Sequence, residues 1–378
     1  MKPITREPTF YLLLLLLLFL VGVDLYYAQL YHYNVIDDAY ISFQYAKNLI
    51  LGNGLVFNPG ERVEGYTNFL WIVFLAPIYF LSTLLHFDFT TAAIFLNVAL
   101  ALVDVVILYR ISRRIFQNDW IAVSFVLLFT VLDNSFQVYA MSGMENHLVI
   151  LWMLLSIDLS LKETRCQPYW LGLVFALACM TRPDAGLFVG AYFLTRRFHW
   201  RTLGFFCFVF GVYFIWRYFY YGDILPNTYH LKVGKGLGAL TRGWEYTKSF
   251  FEDRYYLPLL SITALFGISQ PLIRWLLVFL LLQIAYVTYV GGDFYTGQRF
   301  YLVLIPIMAL LMGTSLQHFS LWLKQWERGG DWRVLPAIWL SLWFIFFVMR
   351  GYPVARTHFD ETQRAGIHRA SGRFHGRW

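Results

Sequence analysis

The chain has 378 residues, of which 58% are hydrophobic and 14% charged, and its mean hydropathy is +0.53. This composition excludes a soluble globular protein and predicts a polytopic membrane protein. The formal net charge of +7 suits contact with the anionic headgroups of membrane lipids or with phosphates. So apolar a chain is not typical of a nucleic-acid-binding protein, and we expect no nucleic acid as a partner.

The N-terminal part of the chain predicts a membrane anchor followed at once by paired acids. The apolar run from Phe10 to Leu30 is too long for the hydrophobic part of a signal peptide. Asp37 and Asp38 follow it, at the level where the bilayer surface meets water. Two acids side by side in a low-dielectric rim suit general-base catalysis or a divalent cation. The alternative is structural, because Asp is a favoured N-cap and a helix is predicted to follow.

The rest of this first loop predicts a surface helix and a series of turns. Residues 39–51 place apolar side chains on one stripe, as expected for an amphipathic helix that lies on the membrane, and glycines follow it. The segment around Asn58 then predicts a tight reversal. Beyond it, Arg62 and Glu64 either pair with each other or contact a substrate.

Apolar windows along the chain predict about eleven membrane-crossing helices. They lie near residues 10–31, 91–110, 119–139, 145–161, 167–181, 184–195, 202–221, 255–270, 272–290, 300–320 and 333–350. A further apolar segment, 69–85, contains Pro77 and is predicted to lie in the interface. With that choice, ten cations of residues 1–201 fall on the inner side and three on the outer side, as the positive-inside rule requires.

This topology gathers the polar motifs on the outer face. In SGMEN, Glu145 stands at the start of a helix, where capping competes with substrate contact. In TRPDA, Arg182 and Asp184 flank a helix break and form either a structural ion pair or part of a binding site. In GGDFYTGQRF, Asp293 can pair with Arg299, whose guanidinium group matches phosphate oxygens.

The longest outer connection, residues 222–254, supplies further candidates for substrate binding. Asn227, His230 and Lys232 stand there beside aromatic residues, in a loop that can order over a bound substrate. The sequence contains no GxxxxGK[ST], HExxH or GxSxG motif. Soluble NTPase, metalloprotease and hydrolase mechanisms therefore have no motif support.

Taken in order, these motifs resemble a known superfamily. The series runs DDAYISFQYAKNL, GLVFNPGERVEGYTNFLW, SGMEN, TRPDA, PNT with a lysine after it, and GGDF with a nearby arginine. It resembles the GT-C superfamily of polyprenyl-phosphate-dependent glycosyltransferases, and within it the mycobacterial terminal arabinofuranosyltransferase type and its bacterial relatives. The resemblance covers nearly all of residues 1–350, and the ordered set is more specific than any single motif.

The resemblance implies a fold and a reaction. The fold would be all-α, a GT-C-like transmembrane catalytic module over residues 1–350, with juxtamembrane helices in the first outer loop, 32–90. The donor would be a polyprenyl-phosphate sugar, and the acceptor an envelope glycan or a lipid-linked molecule. Transfer would occur on the periplasmic side of the bacterial cytoplasmic (inner) membrane. No nucleotide is implied, and paired acids fit both divalent-cation-dependent and metal-free members.

The resemblance also implies roles for single residues. Asp37 would deprotonate the acceptor hydroxyl, with Asp38 as its neighbour, and the hydroxyl would attack the anomeric carbon with inversion. Cations would stabilise the departing phosphate. The candidates for that contact are Arg299, Lys232 and Arg182, with His230 as a weaker one.

The sequence departs from this type at its C-terminal end. Members usually continue into a large outer domain, whereas residues 351–378 form a short basic tail. We therefore expect either a minimal module or one whose protein partner supplies the missing domain. A lipid-linked sugar flippase or transporter and an inactive membrane scaffold stay open as alternatives, because polar groups among membrane helices also line translocation paths. The clustering of acids at one surface and the lack of a clear internal repeat favour the enzyme.

Overall fold

The computed structural model describes residues 8–30, 35–117, 119–162, 164–196, 198–224, 226, 237–252, 254, 268–293, 295 and 297–325. Within these ranges the regular structure is helical, which confirms the predicted all-α class. The helices are α1 (Pro8–Leu30), α2 (Asp37–Ile50), α3 (Phe69–Leu85), α4 (Phe89–Phe116), α5 (Trp120–Leu132), α6 (Asn134–Ala140), α7 (Asn146–Ser160), α8 (Gln167–Thr181), α9 (Gly186–Thr195), α10 (Trp200–Tyr221), α11 (Leu237–Glu252), α12 (Pro271–Val290) and α13 (Leu304–Gln325). Two short 3₁₀ turns, Pro183–Ala185 and Arg299–Tyr301, lie between them.

Four of the described helices, α1, α4, α10 and α12, are long and apolar enough to cross a membrane. The pair α5 and α6, bent by 57°, would make a fifth if it forms one broken span. The chain is thus an all-α, multi-pass membrane protein. The predicted count of about eleven spans is not confirmed. Several predicted windows form helices shorter than a bilayer needs, and residues 255–267 and 326–378 lie outside the described residues.

Aspartates begin three consecutive helices. The side chain of Asp88 accepts a hydrogen bond from the Thr91 backbone N–H at the start of α4, at 2.6 Å. Asp119 caps α5 in the same way. Asp133 ends α5 with an extended backbone and accepts from the Ser135 N–H at 2.9 Å, which starts α6 in a new direction. Such caps satisfy orphan N–H groups, and the last one explains the bend within the predicted span 119–139.

Helix α3 coincides with the predicted segment 69–85 and continues through Pro77. It packs against α2, α4 and α8 and ends at His86, which adopts a left-handed backbone conformation. It is apolar but shorter than the helices that qualify as spans. Its placement in the membrane interface stays a prediction.

Close helix packing depends on small residues at two crossings. A Cβ atom added to Gly172 of α8 would lie 2.6 Å from the carbonyl oxygen of Thr202 in α10. A Cβ atom on Gly243 of α11 would lie 2.0 Å from the carbonyl oxygen of Thr288 in α12. Larger side chains cannot fit there. Glycine therefore allows the two backbones of each pair to approach closely, as is common between membrane helices.

The bundle has two chemically different ends. At one end, Asn97 of α4 donates to the Met144 carbonyl oxygen just before α7, at 2.9 Å. At the other end of the same two helices, Asp158 of α7 binds three cations. The motif end is the end that carries Asp37, Asp38, Glu145, Arg182 and Arg299, and the basic end is the end that carries Arg110, Arg114, Asp158 and Lys162. Arg110, Arg114 and Lys162 are among the ten cations that the topology prediction assigns to the inner side.

Candidate functional site

The SGMEN segment contacts several other parts of the motif end. The backbone N–H of Ile36 donates to the Ser142 carbonyl oxygen at 3.3 Å, and the Trp71 indole donates to the Gly143 carbonyl oxygen at 3.1 Å. Gly143 has a φ of 72°, and a Cβ atom there would lie 3.0 Å from the Val35 side chain. Glycine is needed at this position both for its backbone conformation and for space. The first loop is thereby held against the start of α7.

Asp37 and Asp38 form the first turn of α2. The N-cap position belongs to Ile36, whose side chain makes no cap, so the capping alternative for the two acids is wrong. Their position in the first turn is still favoured by the helix dipole. The Asp37 side chain is exposed, and its Oδ1 accepts from the backbone N–H of Asp38 at 3.0 Å and from the Tyr295 hydroxyl at 2.5 Å.

Arg299 connects the acid pair to the GGDFYTGQRF loop. Its buried guanidinium group donates from Nε to Asp293 Oδ2 at 2.7 Å and from Nη1 to Asp38 Oδ2 at 3.3 Å. The predicted pair of Asp293 and Arg299 is thus confirmed, and Asp38 joins it. Burial raises the pKa of the Asp293 carboxyl above its ordinary value, and the neighbouring Arg299 acts in the opposite direction.

Arg182 forms the second charged group of the motif end. Its Nε and Nη2 atoms bind the two carboxylate oxygens of Asp184 at 2.9 and 3.0 Å, which confirms the predicted ion pair. Its Nη1 binds Glu145 Oε1 at 2.9 Å. The other Glu145 oxygen accepts from the Asn68 amide at 2.9 Å. Glu145 does occupy the N-cap position of α7, but its side chain makes no cap hydrogen bond and binds Arg182 and Asn68 instead.

A single aromatic ring joins the two arginines. The Cζ atoms of Arg182 and Arg299 lie 5.3 and 5.5 Å from the ring centroid of Phe300, within cation–π range. The structure therefore brings these site candidates from four separate motifs into one cluster. Its carboxylates outnumber its guanidinium groups, since Asp37, Asp38, Glu145, Asp184 and Asp293 face Arg182 and Arg299.

Arg62 and Glu64 do not pair with each other, so that alternative is wrong. Glu64 is buried and binds both Nε and Nη2 of Arg217 in α10, with 2.8 Å between Oε1 and Nε. Arg62 instead places its guanidinium group 5.0 Å from the ring centroid of Tyr220. Burial raises the pKa of Glu64, and Arg217 opposes this change. Glu64 thus fastens the first loop to α10, a contact between residues far apart in sequence.

Three predicted site residues, Asn227, His230 and Lys232, lie outside the described residues. Their contacts with substrate stay predictions.

The sequence analysis missed a buried pair next to the cluster. Arg254 donates from Nε and Nη2 to both carboxylate oxygens of Asp133 at 2.9 and 3.0 Å, and from Nη1 to Gln298 at 3.4 Å. Gln298 precedes Arg299 and adopts a left-handed backbone with a φ of 46°. An acid inside the predicted span 119–139 is the signal that could have found this pair, because an ionisable group there needs a partner.

The described residues contain no group of three or more His, Cys, Asp or Glu side chains that could hold a metal ion. Asp37 and Asp38 are tied instead to Tyr295 and Arg299.

No family model matches the chain. It is similar to two curated proteins, each a terminal β-(1→2)-arabinofuranosyltransferase. The protein from Corynebacterium glutamicum is 26% identical in an alignment of length 356, and the match covers 77% of this chain and 49% of the relative. The protein from Mycobacterium tuberculosis is 27% identical in an alignment of length 237, and the match covers 57% of this chain and 37% of the relative. The chain is therefore a distant relative of these enzymes, and it spans about half or less of their length.

Proposed function

We propose that the chain is a membrane glycosyltransferase that moves a sugar from a polyprenyl-phosphate donor to an envelope glycan or a lipid-linked acceptor. The observation that carries this proposal is the meeting of an acid pair, of which Asp37 is exposed, and a buried arginine, with 3.3 Å between Asp38 Oδ2 and Arg299 Nη1. Such a reaction needs a base for the acceptor hydroxyl and a cation for the leaving phosphate within one site. The similarity to two arabinofuranosyltransferases supports the class.

In the proposed reaction, Asp37 acts as the general base. Its carboxylate takes the proton of the acceptor hydroxyl while that oxygen forms a bond to the anomeric carbon. The bond between this carbon and the phosphate oxygen breaks, and its electron pair leaves with the polyprenyl phosphate. Attack from the face opposite the phosphate inverts the configuration. Asp37 suits this role because it is the exposed member of the acid pair.

Arg299 is the proposed partner of the departing phosphate. Its Nε contact to buried Asp293 is short, at 2.7 Å, whereas its Nη1 contact to partly exposed Asp38 measures 3.3 Å. A phosphate group can replace the longer contact without breaking the shorter one. The guanidinium would then remain oriented by Asp293 while it stabilises the negative charge that develops on the phosphate.

The other candidate residues have one of two proposed roles, either to hold the site together or to contact the substrate. Arg182 directs Nε, Nη1 and Nη2 to carboxylates of Asp184 and Glu145, which favours a role in holding the site together. Arg62, stacked on Tyr220, is a candidate contact for the acceptor. Lys232 and, more weakly, His230 are proposed contacts of the departing phosphate, and Asn227 is a proposed substrate contact.

The proposed location is the bacterial cytoplasmic membrane, with the motif end facing the periplasm. The basic end supports this orientation, because Arg110, Arg114 and Lys162 gather there and positive residues are enriched on the cytoplasmic side. A reporter fused after Leu85 should then signal the outer face. A cytoplasmic signal from that fusion would overturn the orientation.

Activity can be tested with the purified chain and a panel of radiolabelled polyprenyl-phosphate sugars, pentose and hexose, with envelope glycan as acceptor. Wild type should transfer one of the sugars, and Asp37→Asn should lower the rate by about 10²–10⁴-fold, the usual share of a general base. Asp119→Asn is a matched control, because Asp119 caps α5 away from the motif end and Asn also caps helices well.

The outcomes separate the alternatives. Full activity in Asp37→Asn would contradict the assignment of the base. A wild type that binds the donors but transfers no sugar would contradict transfer by this chain alone and favour a flippase, a scaffold or an enzyme that needs a protein partner.

A further inference from the structure

Tyr295 contacts two members of the cluster, one through its hydroxyl and one through its ring. Its hydroxyl donates to Asp37 Oδ1 at 2.5 Å, and its ring centroid lies 4.9 Å from Arg299 Cζ. The side chain is buried, although the carboxylate that it reaches is exposed. Tyr295 is thus a direct link between the acid at the start of α2 and the arginine of the GGDFYTGQRF loop.

The two oxygens of Asp37 have different surroundings. Oδ1 accepts two hydrogen bonds, one from the Tyr295 hydroxyl and one from the backbone N–H of Asp38 at 3.0 Å. Two donors fix the direction of this oxygen and make it the poorer proton acceptor of the two. Oδ2 makes no side-chain hydrogen bond within the described residues and belongs to an exposed side chain, so it is the oxygen that an incoming hydroxyl can reach.

Tyr295 has the protonation state that this contact requires. Burial raises the pKa of its phenol, and the hydrogen bond to Asp37 raises it further. The phenol therefore keeps its proton near neutral pH and acts as a donor to the carboxylate. Its ring, stacked on the Arg299 guanidinium, is held in place independently of that hydrogen bond.

We propose that Tyr295 is a positioning residue that holds Asp37 through Oδ1, so that Oδ2 receives the proton of the acceptor hydroxyl. The same side chain fixes the separation between this base and the guanidinium group of Arg299. The inference rests on the proposed glycosyltransferase function and adds a residue that the sequence motifs did not single out. Positioning of this kind matters because a displacement of about 1 Å can lower a rate by about 100-fold.

Two substitutions separate the hydroxyl from the ring. Tyr295→Phe removes the hydrogen bond to Asp37 and keeps the ring on Arg299. We expect kcat to fall by up to about 100-fold while the donor KM stays within about twofold of wild type. Tyr295→Leu also removes the ring, so the donor KM should rise as well. Tyr289→Phe, at an exposed position of α12, is the matched control and should leave both constants unchanged.

The pH profile gives a readout that a purely structural tyrosine would not change. A hydrogen bond to a carboxylate stabilises its charged form, so its loss should move the acidic limb of the kcat/KM profile to higher pH in Tyr295→Phe. Melting temperatures and binding of labelled polyprenyl phosphate show whether each variant is folded.

The outcomes separate this inference from the proposed function. An active wild type with a folded Tyr295→Phe variant of unchanged kcat and unchanged pH profile would overturn the role of Tyr295 alone. Equal losses of donor binding and of rate, without a shift of the profile, would also contradict it. A wild type inactive with every donor would overturn both proposals.

Discussion

The two ends of the bundle use charge in different ways. At the motif end, the side chains of Arg182 and Arg299 are 11% and 7% exposed, and each binds two acidic side chains. At the basic end, Arg110 and Lys162 are 46% and 35% exposed and share the carboxylate of Asp158. The motif end thus has more acids than cations, and its arginines are buried. The basic end has more cations than acids, and its cations are partly exposed.

This difference has an energetic consequence. A buried ion pair is costly to break, because removal of one partner leaves an uncompensated charge at a cost of about 3–5 kcal/mol. An exposed pair contributes about 0–1 kcal/mol. The motif end therefore depends on each of its partners, whereas the basic end tolerates the loss of one cation. A fixed arrangement of charges is what the proposed proton transfer and phosphate departure would need. The three predictions below test this contrast.

The largest effect on stability is expected for Asp133→Asn. Arg254 would lose the charge to which it binds with both Nε and Nη2, while Asn would keep the cap on α6. The free energy of unfolding in detergent should fall by about 3–5 kcal/mol. Because Arg254 also contacts Gln298, next to Arg299, sugar transfer should fall too. A stability within about 1 kcal/mol of wild type would show that burial at the motif end does not make its ion pairs necessary.

A smaller effect concerns pH and the Glu64–Arg217 pair. Burial raises the pKa of Glu64 above its ordinary value of 4.5, so the native state holds this proton more tightly than the unfolded state. The resulting stabilisation is fully present below pH 4.5 and is lost as pH rises through the raised pKa. Glu64→Gln cannot titrate and should lose this part of the pH dependence. Melting temperatures of both proteins from pH 4 upward check it, and identical curves would contradict it.

The sequence predicted the helices better than the partners of the charges. Windows such as 69–85 and 167–181 agree with α3 and α8, because apolar length is a local property. Ion pairs within one motif, such as Arg182 with Asp184, were also predictable from the sequence. The pairs Glu64 with Arg217 and Asp133 with Arg254 join distant segments. A single sequence can show that an acid such as Asp133 needs a partner, but not which distant residue supplies it.

The same limit explains why two acids at helix starts bind distant partners instead of making cap hydrogen bonds. Asp37 and Glu145 both stand where a helix begins, and local rules favour a cap there. In the structure, Glu145 binds Arg182 instead, and Asp37 binds Tyr295 through a contact across 258 positions. Tertiary partners displace local ones at the site because buried arginines and phenols need acceptors.

The smallest effect is expected at the basic end, for Arg110→Gln. Asp158 keeps Arg114 and Lys162, and Arg110 is nearly half exposed, so the free energy of unfolding should change by less than about 1 kcal/mol. Transfer should equal that of wild type, because no contact links Arg110 to the motif end in the described residues. A loss of stability as large as that of Asp133→Asn would remove the contrast between the two ends. A loss of transfer alone would show that the basic end influences the chemistry at the motif end. Helix α4 would be the connection, because it carries both Arg110 and Asn97.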